Sequence, residues 1–438
     1  MSSAEDENDN YEEIENGHIS SESNFTDEED TSDEPNENSE GYFNTDLPVA
    51  HRYLGKLNNT SKYTVYDDGE ILEILAIHTN TLVFPGFTLP LIMNNHFENT
   101  VILSYIQKSK SIALIAADAY YKKIYTHGTI LEIFEHNTKN GVLNLKARGR
   151  QRFRLVPGSE IKNLAGRLQM IQVQALGERP INSPLMDTQM LTLKSKRGYT
   201  SQNFRYFTKL DKYRSFHLAQ YPFPKYVYDN YEIARPVEIV LSALSNYEYL
   251  PKDPVQLSYW FPQNYQLNHE ERLYFMSADS TLERLKLACK LLKRLRHICC
   301  KKCGETISNP SKVFSMSKDG IQSNYVNPGG HVYETVTVSE AEHFSLIGSP
   351  SKQFSWFPGY AWTIMQCSHC CGHLGWKFSS SHLKPKVFYG LANNGYKIEV
   401  AEHPDDFAHF EHEELHGDLG DDSITYTDGF YWRRHNYV

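Results

Sequence analysis

Two short cysteine pairs carry the plainest chemistry in this 438-residue chain. Cys300-Lys-Lys-Cys303 and Cys367-Ser-His-Cys370 share the C-x2-C spacing, in which a tight turn aims two thiolates at one ion. Two such knuckles complete a closed four-sulfur shell with no position left for an activated water, so the metal they imply is one structural Zn2+. Cys299 and Cys371 flank the pairs, and the two-residue spacing selects 300/303 and 367/370. Buried free thiols or redox pairs are the other uses of clustered cysteines. All seven cysteines lie between Cys289 and Cys371, a clustering that favours metal over disulfides in a reducing compartment.

The second cluster is aromatic. Three of the five tryptophans, Trp356, Trp362 and Trp376, fall within residues 355–378 beside Phe378, alternating with Ser355, Pro358, Gly359 and Gly375. Each indole has a wide flat face and one N–H donor that needs a partner when buried. Three such faces around a gap would enclose a compact, largely aliphatic ring, or a cation. The same residues are equally compatible with the core of a zinc-pinned sheet.

Two other patterns fail on context. His412-Glu-Glu-Leu-His416 matches H-E-x-x-H, but it lies in an acidic stretch without an apolar face, Gly417 follows at once, and no downstream third ligand has the right spacing. No G-x-x-x-x-G-K-[ST] phosphate loop occurs, which excludes an ATP-driven protease of the usual kind.

Positioning these residues falls to the rest of the chain. Residues 1–46 hold 17 acids and no Lys or Arg, leaving 37 acids against all 44 bases elsewhere. Such a head has too little apolar surface to offset its ordering entropy and is expected to be a disordered tail. The N-terminus lacks a basic start and an apolar run, and no apolar stretch approaches about 18 residues, so a soluble intracellular protein without a membrane span is expected. Residues 82–93 predict a buried extended segment. Residues 111–120, 128–136, 141–156 and 166–175 show strand alternation with Gly punctuation. Helical spacing appears in 236–247 and in 277–298. In the latter, Ser280 and Glu283 suggest a capping box, and Leu282, Leu285, Cys289, Leu292 and Leu295 form a stripe. Its outer face (Lys286, Lys290, Lys293, Arg294) is expected to be solvated rather than a nucleic-acid surface.

Three stretches, YVNPGGHVYETVTV (325–338), LIGSPSKQFSWFPGYAWTIMQCSHC (346–370) and HLGWKF (373–378), resemble the zinc-held β-tent, or CULT, domain that binds thalidomide in the cereblon family. LVFPGFTLPL (82–91), HGTILEI (127–133) and ARGRQRFRLV (147–156) are similar to the Lon-protease N-terminal (LON) domain that precedes the tent in that family. The resemblance covers nearly all of the chain outside its acidic ends. It implies an α+β multidomain protein: a disordered tail (1–46), a LON-type twisted β-domain with a helical bundle (47–297) whose adaptor-docking part spans about 185–250, a tent domain (298–402), and an acidic extension (403–438).

Functionally the resemblance implies a non-catalytic substrate receptor of a cullin–RING ubiquitin ligase, cytoplasmic and nuclear. Such a receptor docks on the damaged-DNA-binding adaptor protein, and through it on cullin and RING subunits, and marks client proteins for degradation. Cyclic imides, either thalidomide-type drugs or C-terminal imides on damaged proteins, would sit between Trp356, Trp362 and Trp376 above Phe378. The Trp356 indole N–H would donate to an imide carbonyl, the main chain around Phe354 and Ser355 would accept from the imide N–H, and Asn327 lies on the loop that closes over the ligand. Phe354 and Gly329 stand where the family pattern carries histidine, and Ile364 adds bulk at the rim. A methyl-ammonium reader or a tent-fold sulfoxide reductase using Cys371 are the rival uses of such a scaffold.

Overall fold

The computed structural model describes residues 41–60, 64–118, 123–179, 181 and 231–400. The described chain opens with β1 (Gly41–Tyr42), α1 (Asp46–Ala50) and β2 (Asn58–Asn59). Then come β3 (Ile71–Thr79), β4 (Thr88–Met93), α2 (His96–Ile106), β5 (Ser111–Asp118), β6 (Lys123–Lys139), β7 (Val142–Leu155), β8 (Lys162–Ala165) and β9 (Leu168–Leu176). Strands β6, β5, β3, β9 and β7 neighbour one another in that order, and the β6–β7 pairing closes the ring. The long β6–β7 hairpin turns at Asn140-Gly141, both at positive φ (53° and 78°), the conformation a two-residue hairpin loop requires. Gly128 permits closure, because a Cβ there would lie 2.3 Å from the Leu114 carbonyl oxygen. Strict alternation sends Leu75 and Ile77 of β3 into one apolar layer with α2, and Ile74 and Ala76 into another with Phe153 and Val173.

Among the described residues, four helices follow: α3 (Ala234–Ala243), α4 (Pro254–Asn264), α5 (His269–Ser277) and α6 (Thr281–Leu291). Asp253 caps α4 ahead of Pro254, and Asn268 with Glu271 forms a full capping box on α5. The helix expected over 277–298 is shorter, because Arg296–Cys300 is drawn into a strand beside Tyr396–Val400. Its expected capping box is half made. Ser280 accepts from the Glu283 N–H, but the Glu283 carboxylate turns to the N–H of Asp279. The buried stripe is Thr281, Arg284, Leu285, Ala288 and Leu291, while Leu295 is exposed. The shift follows from Arg284, which is fully buried and reaches across the bundle to Glu178.

The remaining strands are β10 (Arg296–Cys300), β11 (Thr306–Ser308), β12 (Gln322–Val326), β13 (Val332–Val338) and β14 (Phe344–Ser351). After them come β15 (Ala361–Cys367), β16 (His373–Ser379), β17 (Leu383–Lys384), β18 (Val387–Ala392) and β19 (Tyr396–Val400). They form a three-stranded sheet, β11-β10-β19, and a six-stranded antiparallel sheet, β12-β13-β18-β16-β15-β14. One apolar cluster runs from α3, α4, α5 and α6 into both sheets through Ile298, Val336, Leu374 and Leu391. A buried ion pair crosses the same seam. Arg272 of α5 grips Glu334 of β13 with two hydrogen bonds of 2.8 and 2.9 Å, and its remaining N–H groups reach the carbonyls of Pro262 and Leu82.

Residues 41–46, expected within the disordered tail, are instead ordered. β1 pairs in parallel with β17, and Phe43 is buried against Phe357 and Tyr360. The acidic composition conceals a short apolar anchor. The other 40 residues of the tail, most of the expected adaptor-docking stretch and the extension from 403 lie outside the described residues. No helix among the described residues is long and apolar enough to cross a membrane.

Glu178, just past β9, ties the barrel to the helices. Its carboxylate accepts from Arg152, Arg284, Tyr259 and Thr281, and both arginines are buried. Burial pushes the Glu178 pKa up, but Arg284, Tyr259 and Arg152 together outweigh that and hold it below the usual 4.5. A depressed carboxylate contributes stability that is complete above its unfolded pKa and lost as pH falls through the folded one. Glu178→Gln should therefore lower unfolding free energy at pH 7 by about 3 kcal/mol. The gap from wild type should narrow progressively as denaturant titrations are repeated below pH 4.5.

Candidate functional site

The two knuckles meet as their spacing requires. Cys300 ends β10 and Cys303 follows in a turn closed by the Gly304 N–H donating to the Cys300 carbonyl (2.9 Å). Cys367 ends β15, and the turn carrying Cys370 is closed by the Cys371 N–H on the Cys367 carbonyl (3.0 Å). The four sulfurs lie within 4.8 Å of one another, with Cys300–Cys370 at 3.5 Å and Cys303–Cys367 at 3.6 Å. Tetrahedral zinc with Zn–S near 2.3 Å requires sulfur separations of about 3.8 Å, so the donor set fits one Zn2+. Cys299 points elsewhere, with its thiol 3.8 Å from the Thr306 hydroxyl, and Cys371 is exposed at φ 57°. Neither joins the shell.

The aromatic residues converge on the same hairpin. In the β15–β16 ladder Trp362 faces Phe378 and Ile364 faces Trp376, so alternation puts all four on one face. Phe378 is fully buried and stacks on Phe388 of β18, forming the floor. Gly375, at φ 143°, lets β16 approach β18, where a Cβ would lie 2.0 Å from the Gly390 carbonyl oxygen. Trp356 comes from the loop before β15. It stacks on Tyr325 at 5.0 Å and stands edge to face against Trp376 at 4.7 Å. Trp362 and Trp376 are half-buried, and Phe354 is exposed at a turn with φ 53°.

Polar groups in the cage are arranged differently from the expectation. The Trp356 indole N–H donates to the Val326 carbonyl (3.2 Å), and that of Trp362 donates to Gln353 (2.8 Å). The expected Trp356 donor to a ligand carbonyl is thus engaged by β12, because a buried indole N–H takes the nearest main-chain acceptor. The Ser355 hydroxyl donates to the Phe357 carbonyl (3.1 Å). Asn327 shapes its own turn, its side-chain oxygen accepting from the His331 N–H (2.8 Å). That turn rests on the barrel: Asn94 of the β4–α2 loop donates to the Pro328 carbonyl, and Asn324 of β12 donates to Thr88 of β4.

Sequence reasoning missed Tyr325, Tyr333 and His373, which complete the aromatic surround. Tyr333 and His373 both stand edge to face against Trp376, at 4.9 and 5.0 Å. Burial lowers the His373 pKa below that of free imidazole, which favours an uncharged ring beside Trp376. Residues 344–379, which span β14 to β16, contain no Asp or Glu, and neither does the 320–333 stretch around Asn327. The cage is aromatic and carries no anionic side chain from either segment.

Comparison with known proteins assigns the frame. Residues 72–294 match the ATP-dependent protease La (LON) substrate-binding domain, and residues 297–398 match the Yippee zinc-binding/DNA-binding and Mis18 centromere-assembly family. Protein cereblon of Gallus gallus is 31% identical, the match covering 84% of this chain and 87% of that one. The chain belongs to the cereblon family. The cereblon of Xenopus tropicalis is 30% identical over 89% of this chain and 92% of its own length, and that of Danio rerio 31% over 80% and 87%. A Lon N-terminal domain protein from Xanthomonas campestris is a structural neighbour at 15% identity and TM-score 0.32, covering 50% of this chain and 97% of that one. The LON-then-zinc-tent order of the cereblon family is the order found here, with the four-cysteine centre inside the zinc-binding part.

Removing the metal should release both sheets. Chelator, or Cys367→Ser, is expected to reduce zinc from one per chain to none and to unfold the 296–400 region, read by metal analysis and near-ultraviolet circular dichroism. A structural zinc of this kind contributes on the order of 10 kcal/mol.

Proposed function

We propose that the chain is a non-catalytic substrate receptor of a cullin–RING ubiquitin ligase, whose Trp356–Trp362–Trp376 cage captures cyclic imides. One observation carries this reading: one buried and two half-buried indole walls over a buried Phe378 floor, all supplied by residues 344–379, which contain no carboxylate. A glutarimide is compact and uncharged, with an aliphatic edge suited to aromatic faces and no charge to be neutralised. A methylated ammonium would gain from a neighbouring anion as well as from the rings, and these segments supply none.

With Trp356 and Trp362 donating to main chain, an imide would rely chiefly on ring contact, supplemented by main chain around Phe354 and Ser355. Alternatively it would compete with Val326 for the Trp356 N–H. Exposed Phe354 and half-buried Ile364 would give the rim an apolar character and so influence which proteins are recruited. In this reading the domains divide as 47–297 and 298–402. The stretch about 185–250 docks the damaged-DNA-binding adaptor, cullin and RING subunits join through it, and the protein acts in cytoplasm and nucleus. Ubiquitin transfer then belongs to the assembled ligase.

Trp362→Ala should weaken a glutarimide ligand at least about 100-fold in titration calorimetry, a loss within the range for a large aromatic contact. Zinc content should stay at one per chain. Binding of trimethyl-lysine in place of the imide would select a methyl-ammonium reader, and turnover of methionine sulfoxide would select an enzyme.

A further inference from the structure

The edge of the six-stranded sheet beside the cage carries a feature that imide capture does not use. In the β14–β15 ladder Ile347 pairs with Ile364, and the next pair is Ser351 with Trp362. Gly348, Ser349 and Pro350 therefore leave the ladder as a bulge, three residues opposite the single Thr363. All three are exposed, and Gly348 takes φ 78° with no atom within 4 Å of where its Cβ would lie. β14 is the outermost strand of its sheet, so its other side has no partner strand among the described residues.

We propose that Ser349 is a phosphorylation site for a proline-directed protein kinase. Such kinases bind the acceptor segment extended, with a pocket at the next position that suits a residue lacking an N–H, and a subset of them adds an acidic subsite for a base three residues on. Ser349 is followed by Pro350, and exposed Lys352 stands at the third position. A serine within a doubly paired strand would be reachable only by melting the sheet, whereas this bulge offers its hydroxyl without that cost. Ser351 is the poorer acceptor. It is half-buried, its hydroxyl oxygen holds the Gln353 N–H at 3.2 Å, and lysine follows it.

In the transfer, the Ser349 hydroxyl oxygen attacks the γ-phosphorus of Mg-ATP, the bond to the β,γ-bridging oxygen breaks, ADP leaves, and the hydroxyl proton passes to the kinase's catalytic aspartate. The product carries a charge of about −1.5 to −2 at pH 7. That charge would lie on the strand that presents exposed Leu346 and Ile347, turning an apolar rim into an anionic one. The site does not depend on the imide reading.

The test incubates the zinc-loaded full chain with a purified proline-directed kinase and Mg-ATP, and maps phosphate by peptide mass spectrometry. One phosphate on Ser349 is expected, absent in Ser349→Ala. Pro350→Ala should slow its appearance about tenfold or more, and Lys352→Ala several-fold, as for loss of a specificity contact. Zinc content and circular dichroism of each variant confirm an intact fold. An unmodified Ser349 in the folded wild type, or equal rates for wild type and Pro350→Ala, would overturn the assignment.

Discussion

Four thiolates around one ion set the register of the strands that form the cage. Cys300 belongs to the three-stranded sheet and Cys367 to the six-stranded sheet, so the zinc joins two layers that share no strand. The Cys367–Cys370 knuckle is also the turn of the β15–β16 hairpin. Fixing that turn fixes which residues of the two strands oppose one another. A slip of one residue would send Trp362 or Trp376 to the opposite face, because side-chain direction alternates along a strand. The metal centre thus sets the strand register on which the shared face of Trp362, Trp376 and Phe378 depends.

The barrel and the tent are held together by polar contacts as well as by a shared apolar core. The Arg272–Glu334 pair is buried on both sides, and Asn393 adds a further hydrogen bond to the same carboxylate. Asn94 and Asn324 pin the β12–β13 hairpin to β4. Removing one side of a buried pair strands the other charge, so such a seam tolerates few relative placements of its halves. Val326 ends the pinned strand, and its carbonyl holds Trp356. The barrel therefore contributes indirectly to the orientation of one cage wall.

Much of this was legible in the sequence, for identifiable reasons. Cysteine spacing is local, so the pairs 300/303 and 367/370 stand out from the chain alone. Tryptophan density marked the aromatic cluster on the β15–β16 hairpin, and strand alternation marked β5, β6, β7 and β9. What escaped depended on distant partners. Nothing near Arg284 announces that it will be buried against Glu178, and that pairing rotated the expected helical stripe. The end of α6 was set by β19, about 100 residues later in the chain. The Trp356 N–H found its acceptor at Val326, 30 positions upstream. Phe43 lay hidden because the acids preceding it dominate the local composition.

The strap formed by residues 41–54 has a practical consequence for dissecting the molecule. Phe43 fills a hollow between Phe357 and Tyr360, and His51 packs edge to face against both Tyr53 and Tyr325. A protein begun at residue 296 would keep every zinc ligand and every indole, yet it would leave this aromatic hollow open to water. Self-association and poor solubility of the excised tent would then report the missing lining, not an intrinsically unstable sheet. Supplying the strap as a short peptide, or grafting it through a linker, is the natural remedy.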